Sequence, residues 1–187
     1  MKKDIFNIPN ILAFIRVLLA PLMFLLLVNR DLSIFEGIHP SWLDFAAAFI
    51  FVIASVTDFF DGYIAREFNQ ITTLGAILDP LADKMLTLAA FLGLMMLHRA
   101  NPWAIYLILT RELFITALRV NVVAIGMSIS ASWMGKVKTV SQMIAIGFLL
   151  MQWPLGTILL WISVFLTLYS GYEYVRDFIN YNKKLSK

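Results

Sequence analysis

Apolar residues occur in six long runs that are separated by short polar connections. The runs cover about residues 11–28, 42–60, 75–97, 103–125, 140–153 and 155–174. A helix that crosses the hydrocarbon core of a bilayer needs roughly 20 mostly apolar residues. The pattern therefore predicts an all-α integral membrane protein with six transmembrane helices, built as a single six-span membrane domain over residues 1–187.

The composition agrees with this pattern. Hydrophobic residues make up 60% of the chain and charged residues 14%, whereas soluble domains are about 45–50% apolar and about 25% charged. These values exclude a water-soluble globule, and the continuous apolar runs exclude a transmembrane barrel, whose strands alternate. The chain has no cysteine, which excludes disulfides, thiolate catalysis and cysteine-bound zinc.

Basic residues are distributed unevenly between the predicted connections. With six spans, both termini share one side with the 2–3 and 4–5 connections, and basic residues of cytoplasmic loops outnumber those outside. Arg30 and Arg99 are the basic residues of the opposite connections. Nine basic residues lie on the side of the termini: Lys2, Lys3, Arg66, Lys136, Lys138, Arg176, Lys183, Lys184 and Lys187. Both termini are therefore predicted to be cytoplasmic.

Four aspartates lie at the predicted cytoplasmic ends of helices 2 and 3. Asp58 and Asp61 are three residues apart, and Asp79 and Asp83 are four apart, so each pair shares one helix face. A short connection makes the two helices antiparallel neighbours, and the two acidic faces then converge. Carboxylates without nearby His or Cys suit Mg²⁺ or Mn²⁺, as one ion or two. Because acidic residues inside a membrane are costly, this placement favours a functional site.

Simpler interpretations remain open for these residues. The aspartates could be solvated at helix ends or paired with Arg66 and Lys84. Gly62 and Gly75 could let a phosphate or nucleotide approach the backbone, or they could serve helix packing.

Together these residues form a known pattern. The spacing Asp58-x2-Asp61-Gly62-x2-Ala65-Arg66-x8-Gly75-x3-Asp79-x3-Asp83 resembles the signature of the CDP-alcohol phosphotransferase family at every fixed position. The resemblance implies the CDP-alcohol phosphotransferase fold of six transmembrane helices, a homodimer, and attack of an alcohol on a metal-bound CDP-linked substrate with release of CMP.

The resemblance also implies residue roles. The four aspartates would hold two divalent ions, Mg²⁺ or Mn²⁺, and Asp83 would also act as the general base. Cytidine and phosphate would be bound by Asp58, Gly62, Arg66 and Gly75.

Stretches along almost the whole chain resemble the bacterial branch that uses CDP-diacylglycerol and glycerol 3-phosphate. They are Asn7–Asn10 with Arg16 and Pro21, Leu78–Lys84, Thr110–Glu112, and Gly135–Thr139 with Gln142. This branch implies a multi-pass protein of the bacterial inner membrane with a cytoplasmic active site, surrounded by membrane lipids and without a nucleic-acid partner. Ala13 departs from the branch, which has a hydroxyl residue there.

Four basic residues around helix 4 and the start of helix 5 are candidates for binding the acceptor phosphate: Arg111, Arg119, Lys136 and Lys138. Arginine and lysine both suit phosphate oxygens, but the lysines could instead be cytoplasmic anchors. Adjacent helical residues point about 100° apart, so Arg111 is not expected to pair with Glu112.

Two other functions remain as alternatives. Cardiolipin synthases of the same family share several of these stretches and use phosphatidylglycerol as the acceptor. A small divalent-cation carrier would need acidic residues along the whole path, and Asp44 is the acidic residue in the outer halves of helices 2 and 3.

Overall fold

The structure is a computed structural model that describes residues 8–67, 73–124 and 133–185. These residues form six long α-helices and a 3₁₀ turn at Ser33–Phe35, with no strand among them. The helices are α1 (Ile8–Val28), α2 (Pro40–Glu67), α3 (Thr73–Met96), α4 (Pro102–Ala124), α5 (Trp133–Leu150) and α6 (Gly156–Leu185). The predicted all-helical class and the number of long helices are confirmed.

Two helices extend beyond the apolar runs that predicted them. α5 begins at Trp133 rather than near residue 140, so Lys136 and Lys138 lie within the helix. α6 continues to Leu185 instead of ending near Tyr174. An apolar run shows which residues avoid water, but a helix can continue past its end as long as backbone hydrogen bonds form. Lys and Arg are good helix formers, so basic residues do not end a helix.

Among the residues that the structure describes, three helices are long and apolar enough to cross a membrane, judged by length and composition alone. These spans are Asn10–Val28, Pro40–Thr57 and Gly156–Asn180. The remaining helices carry other charged residues of the candidate site: Asp79 and Asp83 on α3, Arg111 and Arg119 on α4, and Lys136 and Lys138 on α5. Their charges lower the mean hydropathy of these segments, which is the expected consequence of building a site from membrane helices.

The chain divides into two compact units. The first comprises Met1–Arg99 with Leu149–Trp153. In it α1 packs along both α2 and α3. Leu27 of α1 lies so close to Gly93 of α3 that a Cβ on Gly93 would stand 2.9 Å from the Leu27 Cβ. Small residues at helix contacts allow this kind of close approach.

The connections show which way these three helices run. Arg30, just after α1, and Arg99, just after α3, both bind Asp44 near the start of α2. The carboxyl ends of α1 and α3 therefore meet the amino end of α2. It follows that α1 and α3 are parallel and that α2 runs in the opposite direction.

The second unit comprises Ala100–Phe148 with Pro154–Lys187. α4 and α6 pack against each other, with a buried core that includes Ala104, Ile108, Leu160 and Val164. A buried hydrogen bond of 2.8 Å from Gln142 Nε2 of α5 to Thr167 Oγ1 of α6 connects α5 to this helix pair. Buried polar side chains need such partners because an unpaired one costs free energy.

Candidate functional site

The predicted metal and nucleotide residues lie in the first unit, on two consecutive helices. Asp58, Asp61, Gly62 and Arg66 belong to the last turns of α2, while Gly75, Asp79 and Asp83 belong to the first half of α3. Gly75 is buried and Asp83 is partly buried. The side chains of Asp58, Asp61, Gly62, Arg66 and Asp79 lie outside the described part of the structure. Their helical placement is confirmed, and the convergence of their carboxylates stays a prediction.

The backbone register of α2 supports that convergence. Asp44, Ala47, Phe51 and Ala54 are all buried and follow one another at spacings of three or four residues, which marks one face of a helix. The next positions on this face are 58 and 61, the two aspartates. The acidic pair of α2 thus continues the face that packs inside the unit.

The register of α3 gives the same result. Ala82, Leu86 and Ala90 are buried, and Gly75 and Gly93 are buried as well. Position 79 falls between Gly75 and Ala82 on this face. Position 58 lies 14 residues from Asp44 along α2, and position 79 lies 14 residues from Gly93 along α3, or about 21 Å in each helix at 1.5 Å per residue.

This arrangement is compatible with divalent ions. The aspartate positions continue, by backbone register, helix faces of one unit whose described residues are buried, and hard cations such as Mg²⁺ and Mn²⁺ take oxygen ligands. Among the side chains that the structure describes, no group of three or more His, Asp or Glu residues could hold a metal ion. Of the four predicted metal ligands, Asp83 is the one whose side chain the structure describes.

Two of the four predicted phosphate-binding residues come together in the second unit, on either side of one carboxylate. Lys138 Nζ of α5 donates a hydrogen bond to Glu112 Oε1 of α4. Arg111 Nη1 donates to the same oxygen over 3.3 Å, and Arg111 Nη2 donates to Ser170 Oγ of α6 over 2.9 Å. Three helices thereby fix two cations next to each other.

The expectation that Arg111 does not pair with Glu112 is therefore wrong. Their Cβ atoms do point in different directions, as adjacent helical residues do. Both side chains are long, however, and Lys138 draws the carboxylate into the space that Arg111 also reaches. A helical projection does not account for a third group on a neighbouring helix.

The Arg111 side chain packs against α6 at Gly171. A Cβ on Gly171 would stand 3.0 Å from Arg111 Nε and 3.1 Å from its Cγ. Only 10% of the Arg111 side chain is exposed, and its Nε has no hydrogen-bond partner among the described residues. A buried donor without a partner is uncommon, because it costs free energy.

The other two predicted residues are placed differently. Arg119 is exposed, and its guanidinium carbon lies 5.9 Å from the centre of the Tyr174 ring, within the range of a cation–π contact. Lys136 is exposed and lies two residues from Lys138 on α5, which turns it to another side of the helix. In the described part of the second unit, neither joins Arg111 and Lys138 at Glu112.

A cluster that sequence reasoning missed lies at the Asp44 end of the first unit. We call Arg30, Asp44, Arg99 and Gln152 the Asp44 cluster. Arg99 donates from Nη1 to Oδ1 and from Nη2 to Oδ2, both at 2.8 Å. Arg30 Nη2 donates to Oδ1, and Gln152 Nε2 donates to Oδ2 over 3.0 Å. The signal in the sequence was an aspartate near the start of an apolar run.

Comparison with known proteins adds independent information. The model of the CDP-alcohol phosphatidyltransferase family matches residues 6–169. The chain belongs to this family. Membership in the CDP-alcohol phosphatidyltransferase family confirms the resemblance carried by the aspartate signature, and together with the apolar helices it confirms the integral membrane class.

Relatives within the family match the chain over most of its length. A Bacillus subtilis (strain 168) protein named CDP-diacylglycerol–glycerol-3-phosphate 3-phosphatidyltransferase is 38% identical over 180 residues, covering 90% of this chain and 93% of that protein. A protein of the same name from Escherichia coli (strain K12) is 38% identical over 181 residues, covering 91% of this chain and 93% of that protein.

Proposed function

We propose that this protein transfers the phosphatidyl group of CDP-diacylglycerol to sn-glycerol 3-phosphate, giving phosphatidylglycerophosphate and CMP. The observation that carries the proposal is the similarity of nine-tenths of the chain to enzymes that bear the name of this reaction. The arrangement of the aspartates on α2 and α3 supports the same chemistry, because phosphoryl transfer depends mainly on positioning and on charge neutralisation.

The four aspartates are proposed to hold two divalent ions, Mg²⁺ or Mn²⁺. Ions bound there would neutralise the charge of the diphosphate that is being split. The hydroxyl oxygen of glycerol 3-phosphate forms a bond to the phosphatidyl phosphorus, and the bond from that phosphorus to the oxygen of CMP breaks. Asp83 takes the hydroxyl proton, which a carboxylate within hydrogen-bond reach can do. Gly62, Arg66 and Gly75 are proposed to bind the cytidine and phosphate with Asp58.

Arg111 and Lys138 are proposed to bind the phosphate of the acceptor. Their cationic groups lie side by side at Glu112, and Arg111 is held in place by its hydrogen bond to Ser170. A phosphate dianion gains more from two cations than the singly charged phosphodiester of phosphatidylglycerol does. This favours glycerol 3-phosphate over the cardiolipin synthase alternative. Arg119 and Lys136 are proposed to add to the same positive surface.

The proposed setting is the bacterial inner membrane, with both termini and the active site on the cytoplasmic side, and the proposed assembly is a homodimer. The excess of basic residues on the side of the termini supports this orientation. Such a position would let the lipid substrate enter from the bilayer and the soluble substrate from the cytoplasm.

The Asp44 cluster argues against a divalent-cation carrier. A transport path needs free carboxylates beyond the cytoplasmic site, and Asp44 is the acidic residue of α2 on the outer side. Both of its oxygens accept hydrogen bonds from arginines. A carboxylate neutralised by two guanidinium groups is a poor ligand for a passing cation.

The decisive experiment offers the purified protein CDP-diacylglycerol and Mg²⁺ with one acceptor at a time: glycerol 3-phosphate, phosphatidylglycerol, serine or inositol. We expect CMP release with glycerol 3-phosphate. Release with phosphatidylglycerol alone would establish the cardiolipin synthase alternative, and no release with any acceptor would reopen the carrier interpretation.

A further inference from the structure

Arg16 is a charged residue in the middle of the interior face of α1. The residues on this face are Ala13, Arg16, Ala20, Met23 and Leu27, each at most 1% exposed. Their spacings of three and four residues define a single helix face. An arginine fully enclosed in a membrane helix is expensive, and such residues face the protein interior and mark functional sites.

The depth of Arg16 follows from the contact at Leu27. Arg16 precedes Leu27 by 11 residues, and Ala82 precedes Gly93 by 11 residues, so each lies about 16 Å from the Leu27–Gly93 contact on the same helix face. On α2, Ala54 lies ten residues from Asp44, or about 15 Å. Ala54 and Ala82 are both fully buried. On these buried faces, the residues of α2 and α3 nearest the level of Arg16 are alanines, and the partly buried Asp83 directly follows Ala82.

About one helical turn further from the Asp44 cluster, each neighbouring helix carries an aspartate, at position 58 on α2 and at position 79 on α3. A long helical side chain leans toward the amino end of its own helix, and in α1 this is the direction away from the Asp44 cluster. From this tendency we expect the Arg16 side chain to extend past the two alanines toward the level of Asp83 and of positions 58 and 79.

We infer that Arg16 is a positioning residue that serves as the built-in counter-ion of the aspartate cluster, offsetting the repulsion among the carboxylates when divalent ions are absent. This inference rests on the metal site of the proposed function. Four carboxylates close together repel one another, and burial strengthens that repulsion because the dielectric constant is low. A fixed cation at their level allows the metal-free helices to stay packed until the ions bind.

Thermal unfolding of the purified full-length protein in lipid nanodiscs tests the inference. The variants are Arg16→Met, Arg16→Lys and, as a matched control, Arg176→Met, since Arg176 is an exposed arginine of α6. With a chelator present, we expect Arg16→Met to unfold about 5–15 °C below the wild type. Saturating Mg²⁺ should remove at least about half of that deficit, because the ions take over the charge compensation.

The other variants set the limits of the result. Arg16→Lys should retain most of the midpoint, since it keeps the charge, and Arg176→Met should match the wild type with and without Mg²⁺. A deficit of Arg16→Met that is equal in chelator and in Mg²⁺ would overturn the inference, as would a lysine variant no better than methionine. An arginine that serves only packing would give that equal deficit.

A double variant covers the case in which Arg16→Met does not fold. Arg16→Met with Asp79→Asn removes one carboxylate together with the cation, and its midpoint in chelator should exceed that of Arg16→Met alone. If the double variant is no more stable, the inference fails. If Mg²⁺ does not stabilise even the wild type, both the inference and the proposed metal site fail. If Mg²⁺ stabilises the wild type but leaves the deficit of Arg16→Met unchanged, only the role of Arg16 is refuted.

Discussion

Arg99 binds Asp44 through two hydrogen bonds of 2.8 Å: Nη1 donates to Oδ1, and Nη2 donates to Oδ2. The same Arg99 Nη1 also donates to the carbonyl of Leu150 over 3.2 Å. Bidentate pairs of this kind fix geometry as well as adding energy. The pair thus ties the end of α3 both to the start of α2 and to the end of α5 within the first unit.

The first prediction concerns this pair. Asp44→Asn should lower the free energy of unfolding by about 3–5 kcal/mol, because it removes a buried charge and leaves two partly buried arginines without compensation. Equilibrium unfolding in mild detergent measures the loss. Asp31→Asn is the matched control, since Asp31 is exposed in the same connection as Arg30, and it should change stability by less than about 1 kcal/mol. Equal losses in both variants would contradict the assigned role.

The second prediction ranks the four basic residues of the acceptor pocket. Arg111→Met and Lys138→Met should raise the KM for glycerol 3-phosphate by about 10–100-fold, the loss of one charge-assisted hydrogen bond. Arg119→Met and Lys136→Met should have smaller effects because their side chains are exposed. Steady-state CMP release over a range of acceptor concentrations measures all four. If Arg119→Met or Lys136→Met raised the KM more than Arg111→Met and Lys138→Met, the acceptor phosphate would have to bind away from Glu112.

The third prediction uses two glycines. Gly171→Ala should raise the KM for glycerol 3-phosphate several-fold and leave the KM for CDP-diacylglycerol unchanged, because the new methyl group would lie 3.0 Å from Arg111 Nε and displace it. Gly147→Ala is the control, since nothing lies within 4 Å of a Cβ there. Alanine at that helical position should instead stabilise the protein by up to about 1 kcal/mol. An unchanged KM for glycerol 3-phosphate in Gly171→Ala would show that binding of this substrate does not depend on the packing of Arg111 against α6.

The aspartate positions were predictable because they depend on local geometry. Helical periodicity alone places residues three or four apart on one face, and a short connection makes α2 and α3 neighbours. The start of α5 was less predictable, since Lys136 and Lys138 interrupt the apolar pattern without interrupting the helix. Hydropathy indicates whether a residue prefers water or lipid, but it does not determine whether the backbone at that residue is helical.

The Asp44 cluster was not predictable, because its members are far apart in the sequence. Asp44 and Gln152 are separated by 108 residues, and Arg99 lies 55 residues from Asp44. Which arginine meets which carboxylate depends on how three helix ends pack. The pairing of Arg111 with Glu112 depends in the same way on Lys138, a residue of another helix.

The last prediction separates two roles proposed for Asp83. Asp83→Asn keeps the size of the side chain and should lower kcat by about 100-fold or more, the usual contribution of a positioned base. If Asp83 acted only as a metal ligand, the loss would arise from weaker ion binding, and excess Mg²⁺ would restore the rate. A base cannot be replaced in that way, so we expect the rate of single-turnover CMP release to stay low at saturating Mg²⁺. Asp177→Asn, at an exposed position of α6, should release CMP at the wild-type rate, and recovery of Asp83→Asn at high Mg²⁺ would assign the proton to another group.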